Sequence, residues 1–107
     1  MSVAPTSGLR DGDEVVVLVE GESDEPAGRL EAMQCTASPT RACDPATVSA
    51  FDGPVAETDA IHLRFFVRRH LDTAFGRVDC VQRPCVLVLR EDGRGPVLES
   101  AFLNFVA

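Results

Sequence analysis

The chain has 107 residues and a net charge of −7, with 17 acidic side chains against 10 basic ones. This length suits a single domain, 1–107, and the 45% hydrophobic share excludes a disordered chain. The longest apolar run, residues 15–19, is far shorter than the roughly 18 residues of a membrane span. An acidic protein has little affinity for the phosphates of a nucleic acid. We therefore expect neither membrane insertion nor direct nucleic-acid binding.

The elements predicted along the chain are all strands. Turn-forming glycine and proline recur about every 8–15 residues with short β-branched runs between them, which is typical of an all-β sandwich. The predicted strands are residues 3–8, 14–20, 29–35, 48–51, 59–69, 76–80, 85–90 and 97–106. Residues 11–13 and 91–95 are predicted turns between them, and the acidic run at 22–25 is a predicted solvated hairpin tip.

Three of these strands have distinctive apolar patterns. Residues 61, 63, 65 and 67 are apolar and alternate with His62, Arg64, Phe66 and Arg68, as in a half-buried strand. Residues 15–19 and 86–89 are apolar at every position, which predicts central strands that are covered on both faces.

The four cysteines form two close pairs, Cys35 with Cys43 and Cys80 with Cys85. Each pair brackets a proline-containing turn, so local disulfides are the favoured pairing, and each would stabilise the fold by about 2–2.6 kcal/mol. A zinc site formed by all four cysteines and a single bridge between Cys35 and Cys80 remain alternatives.

Disulfides require an oxidising compartment, so the favoured pairing predicts a secreted protein, with a reduced cytosolic domain as the alternative. Residues 1–5 have neither the basic start nor the apolar stretch of a signal peptide, and we expect a mature or excised chain. Charge is uneven: residues 1–31 hold eight acidic side chains against two arginines, whereas residues 60–83 hold five arginines against two aspartates. We interpret the two regions as solvated faces of opposite sign.

Residue types that carry chemistry are sparse. His62 and His70 are not in a metal-binding spacing, and both local disulfides together would leave no cysteine as a nucleophile. Asp11, Asp13 and Glu14 fit a turn better than a calcium loop. The sequence therefore predicts a protein that is not an enzyme and has no metal site.

Four groups of short motifs follow one another along nearly the whole chain. They are Pro5-Thr6-Ser7-Gly8-Leu9 with Asp11-Gly12; Gln34-Cys35 with Ala42-Cys43-Asp44-Pro45-Ala46; Val67-Arg68-Arg69 with Gly76-Arg77-Val78-Asp79-Cys80 and Cys85; and Gly93 and Gly95-Pro96 with the closing Phe102 to Phe105. In this order they resemble the neocarzinostatin family, the apoproteins of the enediyne chromoproteins.

The resemblance implies an immunoglobulin-like antiparallel β-sandwich of about seven strands with the local disulfides 35–43 and 80–85. It also implies a monomer secreted by actinomycetes, whose cleft holds an unstable polycyclic chromophore without a covalent bond. A preformed apolar cleft lined by aromatic rings is suited to that task.

The ligand site that the resemblance implies differs here from the family pattern. Its residues are Ala37, Arg41, Val48, Phe75, Val88 and Arg90. Ala37, Arg41 and Val48 stand where the family has larger apolar or aromatic contacts, and Met33 and Val88 replace glycines of the cleft floor. Lost rings and added bulk both shrink a pocket, so we expect a smaller cleft with a lower affinity for apolar ligands.

Two functions are compatible with these observations. The first is a non-enzymatic, secreted carrier of a small apolar ligand that resembles an enediyne chromophore. The second is an extracellular immunoglobulin-like interaction or structural module without a ligand of its own. The outward-facing ring of Phe66, between Arg64 and Arg68, would be its contact anchor.

Overall fold

The computed structural model describes residues 1–21, 28–37, 41–91 and 96–107, and every strand in these ranges is antiparallel to its neighbours. The strands are β1 (Ser2–Ala4), β2 (Glu14–Glu20), β3 (Arg29–Thr36), β4 (Ser49–Asp52), β5 (Ala60–Phe66), β6 (His70–Thr73), β7 (Gly76–Asp79), β8 (Cys85–Glu91) and β9 (Val97–Leu103). A 3-10 turn, Pro45–Thr47, precedes β4. The predicted tip at 22–25 and residues 92–95 of the predicted turn lie outside the described residues.

The strands form two sheets and a separate hairpin. The first sheet has the order β1-β2-β5, the second has the order β4-β3-β8-β9, and β6 pairs with β7. Buried side chains from both sheets form one core, which contains Leu9, Val15, Val17, Val19, Leu30, Ala32, Phe65, Val67, Leu87, Leu89 and Leu103. The all-β sandwich is therefore confirmed, and its two sheets hold seven of the described strands.

The predicted burial of β5 on one face and of β8 on both faces is confirmed, but the prediction that β2 is buried on both faces is wrong. In β5, Phe65 is buried whereas Phe66 is 59% exposed. Every residue of β8 from Cys85 to Leu89 is buried. Strand β2 is central in its sheet, yet Val16 on its outer face is 41% exposed, because no second apolar layer among the described residues covers that face.

The turn at residues 11–13 is also confirmed. Gly12 has a positive φ of 84°, a conformation that glycine adopts without steric cost. The Asp13 N–H donates to the Arg10 carbonyl at 3.1 Å, and its carboxylate accepts from the Arg10 N–H at 2.9 Å. The turn connects Leu9, in the core, to the start of β2.

Three predicted strands are too long, and one strand was missed. Strand β1 ends at Ala4 because Pro5, which follows, has no N–H to donate. Strand β9 ends at Leu103, and β5 ends at Phe66, after which the Arg68 N–H is bound by a side chain rather than by a neighbouring strand. Strand β6 lies between the predicted strands 59–69 and 76–80, where no strand is predicted.

Candidate functional site

Both local disulfides are present. Cys35 is bonded to Cys43 and Cys80 to Cys85, so the zinc site and the Cys35–Cys80 bridge are excluded. The first bridge joins β3 to the segment before the 3-10 turn, and its loop includes residues 38–40, outside the described ranges. The second joins the end of β7 to the start of β8. Together they place the β6–β7 hairpin beside one end of the four-stranded sheet.

Gln34 ties this end of the sheet to the chain that enters the hairpin. Its side chain is fully buried, and its amide Nε2 donates to the Arg68 carbonyl at 2.5 Å. Its Oε1 accepts from the Arg68 N–H at 2.9 Å, while its own N–H donates to Thr47 Oγ1 at 2.9 Å. The Gln34 amide thus pairs with the Arg68 backbone as a neighbouring strand would.

Asp44 makes a second connection to the hairpin. One carboxylate oxygen accepts from the Ala46 N–H at 2.9 Å, which caps the 3-10 turn. The other accepts from the Asp72 N–H, in β6, at 3.0 Å. Asp44 is only 2% exposed, and its own N–H donates to the Gln34 carbonyl at 3.1 Å. The residue that follows the first disulfide therefore holds the hairpin through a partly buried hydrogen bond.

An ion pair at the base of the hairpin completes its attachment. The Arg69 guanidinium donates two hydrogen bonds of 2.9 Å to the carboxylate of Asp79, which also accepts from the Val81 N–H at 2.9 Å. These bonds favour the charged carboxylate and lower the pKa of Asp79 from 3.8 to about 2. Leu71, on the inward face, is buried with the second disulfide.

The tip of the hairpin presents an aromatic ring to solvent. Thr73 Oγ1 donates to the Gly76 carbonyl at 2.8 Å and accepts from the Phe75 N–H at 3.1 Å, which fixes the turn. Gly76 has a φ of 108°, a conformation that L side chains rarely adopt. The Phe75 side chain is 78% exposed, more than any other large hydrophobic side chain among the described residues.

A groove of about 360 Å³ lies between this hairpin and the two disulfide loops. Its volume is in the range of small-molecule sites, about 300–1,000 Å³. The groove is lined by Thr36, Ala42, Thr73, Phe75, Arg77, Val78, Asp79, Gln82 and Arg83. Of the ligand-site residues that the sequence implied, only Phe75 is in this lining.

Ala37, Val88 and Arg90 lie on the outer face of the four-stranded sheet. Ala37 and Val88 are buried in one cluster with Met33, and Met33 is opposite Val88 in the register of β3 and β8. Met33 is 4% exposed and Val88 is 1% exposed, so both side chains are buried on this face. Arg90 forms an ion pair with the nearly buried Glu31 on the same face.

Arg41 and Val48 are exposed, and the groove does not include them. Arg41 directly precedes Ala42, which does line the groove. Val48 follows the 3-10 turn and is 44% exposed. The structure thus brings Ala37 together with Val88 and puts Phe75 at the groove, but it does not gather the six residues into one pocket.

Sequence reasoning missed two sets of exposed residues. Arg77, Gln82 and Arg83 in the groove have no motif that marks them as site residues. Leu98 and Phe102, in β9, are 48% and 60% exposed, and Phe102 is opposite Val86 in the register. Apolar residues flank Phe102 on both sides and Leu98 on one, so no alternation along β9 marks its exposed face.

No group of three or more histidine, cysteine, aspartate or glutamate side chains in the described ranges is placed to hold a metal ion. Among the same residues, no helix has the length and apolar character needed to cross a membrane.

The neocarzinostatin family model matches residues 1–105, a range that contains both disulfides and the whole hairpin. The chain belongs to the neocarzinostatin family. The resemblance found in the sequence is therefore confirmed. The family's apoproteins are non-enzymatic carriers that bind an enediyne chromophore non-covalently.

Two solved structures are similar to this member of the neocarzinostatin family. Macromomycin has the same fold, with 23% sequence identity and a TM-score of 0.79 over 98% of this chain and 96% of that one. The solution structure of apokedarcidin is 27% identical, with a TM-score of 0.69 and the same coverage of both chains. A search of curated proteins finds no significant match.

Proposed function

We propose that this chain is a secreted, monomeric, single-domain carrier that binds a small ring-containing apolar ligand without a covalent bond and without catalysis. One observation carries the proposal: in a chain of this family, a groove of about 360 Å³ has the 78% exposed ring of Phe75 in its lining. Burial of a large side chain contributes about 1.5–3 kcal/mol, so a ligand stacked on Phe75 would gain affinity from this ring.

The remaining sequence-implied residues have distinct parts in this proposal. Ala37 and Val88 are buried together outside the lining of the groove, and the ion pair with Glu31 keeps Arg90 on the same face of the sheet. Arg41 and Val48 are exposed and available to a ligand that extends beyond the groove. We expect the ligand to be smaller than one that fills a cleft with a glycine floor.

The proposal is tested by amide chemical shifts of the ¹⁵N-labelled protein during titration with a panel of neutral polycyclic aromatics, including 1-pyrenebutanol. We expect saturable shifts at Phe75 and its neighbours, with smaller ones at Val48 and Val88. Phe75→Ala should weaken binding about 10- to 100-fold, the equivalent of about 1.5–3 kcal/mol. Phe66→Ala is the matched control, because Phe66 is an exposed ring in β5 of the three-stranded sheet and is not in the lining of the groove.

A panel without any saturable shift would contradict the carrier proposal and favour the interaction module. One observation supports that second function: Phe66 is 59% exposed beside the paired side chains of Arg64 and Glu14. An exposed aromatic ring next to an ordered guanidinium is typical of an interface anchor.

A further inference from the structure

We infer that the ligand of this groove carries a carboxylate beside its ring system, and that Arg77 and Arg83 bind that carboxylate. The inference rests on the proposed carrier function and adds the charge of the ligand. Both arginines line the groove together with Phe75. A guanidinium group binds a carboxylate through two parallel hydrogen bonds, which gives direction as well as affinity.

The guanidinium groups of Arg77 and Arg83 are available to a ligand. Both residues are exposed, and within the ranges that the structure describes neither side chain forms an ion pair or a hydrogen bond. Arg77 is in β7, before the second disulfide, and Arg83 is in the loop that this disulfide closes. The Arg83 N–H donates to the Asp79 carbonyl at 3.0 Å, which fixes its backbone at the groove.

The neighbouring acidic groups do not cancel this charge. Asp79 lines the groove, but its carboxylate accepts both hydrogen bonds from Arg69. Asp44 is buried and accepts from two backbone N–H groups. Asp72 is opposite Arg77 in the hairpin register without an ion pair between them. Among the residues that the structure describes, the two guanidinium groups of this concave site therefore have no acidic partner.

This local charge contrasts with that of the whole chain. The protein has a net charge of −7, yet residues 60–83 hold five arginines against two aspartates. A positively charged concavity on an acidic protein attracts anions to one place and repels them elsewhere. The interpretation of the basic region as a solvated face is thereby refined, since two of its arginines face the groove.

The experiment compares two probes with the same ring and chain length, 1-pyrenebutyrate and 1-pyrenebutanol. The protein has no tryptophan or tyrosine, so the fluorescence of the pyrene is measured without interference. At pH 7 and low salt, we expect the carboxylate to bind at least about tenfold more tightly than the alcohol. Added salt should remove most of this difference, because the charged groups are exposed.

Single arginine variants test whether Arg77 and Arg83 cause the preference for the carboxylate probe. Arg77→Gln and Arg83→Gln should each weaken binding of the carboxylate several-fold and leave binding of the alcohol unchanged. Arg29→Gln is the matched control, because it removes one exposed positive charge at the other end of β3. That end is about 23 Å from Thr36 at roughly 3.3 Å per residue.

The results of the two probes and the variants separate the carboxylate inference from the carrier function. Equal binding of the two probes, or tighter binding of the alcohol, overturns the inference and leaves the carrier function intact. An equal effect of Arg29→Gln and Arg77→Gln also overturns it, because the preference would then arise from overall charge. If neither probe binds, the carrier function itself fails.

Discussion

Replacing Gln34 with methionine tests whether the amide of this residue holds the hairpin in place. Methionine has a similar length but cannot hydrogen-bond to the Arg68 backbone, so the two bonds of 2.5 and 2.9 Å are lost. Each bond contributes about 0.5–1.5 kcal/mol, and a buried backbone group left without a partner costs about 1–3 kcal/mol. Since these bonds are only partly buried, we expect Gln34→Met to lower the free energy of unfolding by about 2–4 kcal/mol.

The assay is urea unfolding followed by far-UV circular dichroism, because the chain has no tryptophan or tyrosine for fluorescence. At about 4 °C per kcal/mol, the melting temperature should fall by about 8–16 °C. Gln82→Met is the matched control: the Gln82 side chain is exposed, so its replacement should change stability by less than about 0.5 kcal/mol. A loss below about 1 kcal/mol for Gln34→Met, or equal losses for both variants, would refute the assigned role.

Three further predictions concern the disulfides, the ion pair of the hairpin and the buried side chain of Met33. Reduction of both disulfides should lower the unfolding free energy by about 4–5 kcal/mol on the chain-entropy estimate, and an unchanged melting temperature with reductant would contradict this. The pKa of Asp79 is about 2 in the folded protein against 3.8 in the unfolded chain, so its stabilisation is complete above about pH 4 and is lost as the pH falls towards 2. Asp79→Asn should abolish this part of the pH dependence in unfolding curves between pH 5 and 2, and an unchanged dependence would disprove the role of the Arg69 pair. Met33→Ala should lower the unfolding free energy by about 2–5 kcal/mol, as should Leu30→Ala on the other face of β3, because both side chains are buried. Since Met33 is not in the lining of the groove, Met33→Ala should leave the affinity for 1-pyrenebutanol unchanged, and a changed affinity would contradict the assigned position of the site.

Features with a local signal could be predicted from the sequence. The strict alternation along β5 identified its buried face, because successive side chains of a strand point to opposite sides. The short spacing of each cysteine pair indicated local bridges, which the structure confirms. The bulk of Met33 and Val88 at family glycine positions predicts a smaller cleft, which stays a prediction, although both side chains are buried.

Features that depend on tertiary partners could not be predicted in this way. Strand β6 has one buried apolar residue, Leu71, which is too weak a periodic signal, and its pairing depends on the turn at Gly76. Continuous apolar residues in β2 do not show whether a second layer exists, so the exposure of Val16 was missed. Arg77 and Arg83 become neighbours of one groove only when the second disulfide closes its loop.

Intermolecular nuclear Overhauser effects between 1-pyrenebutyrate and the ¹³C-labelled protein test the central claim most directly. We predict contacts from the pyrene protons to the Phe75 ring and the Val78 methyl groups, both in the lining of the groove. Contacts confined to Phe66 or Phe102, or no contacts at saturating probe, would contradict a ligand site between the hairpin and the disulfide loops.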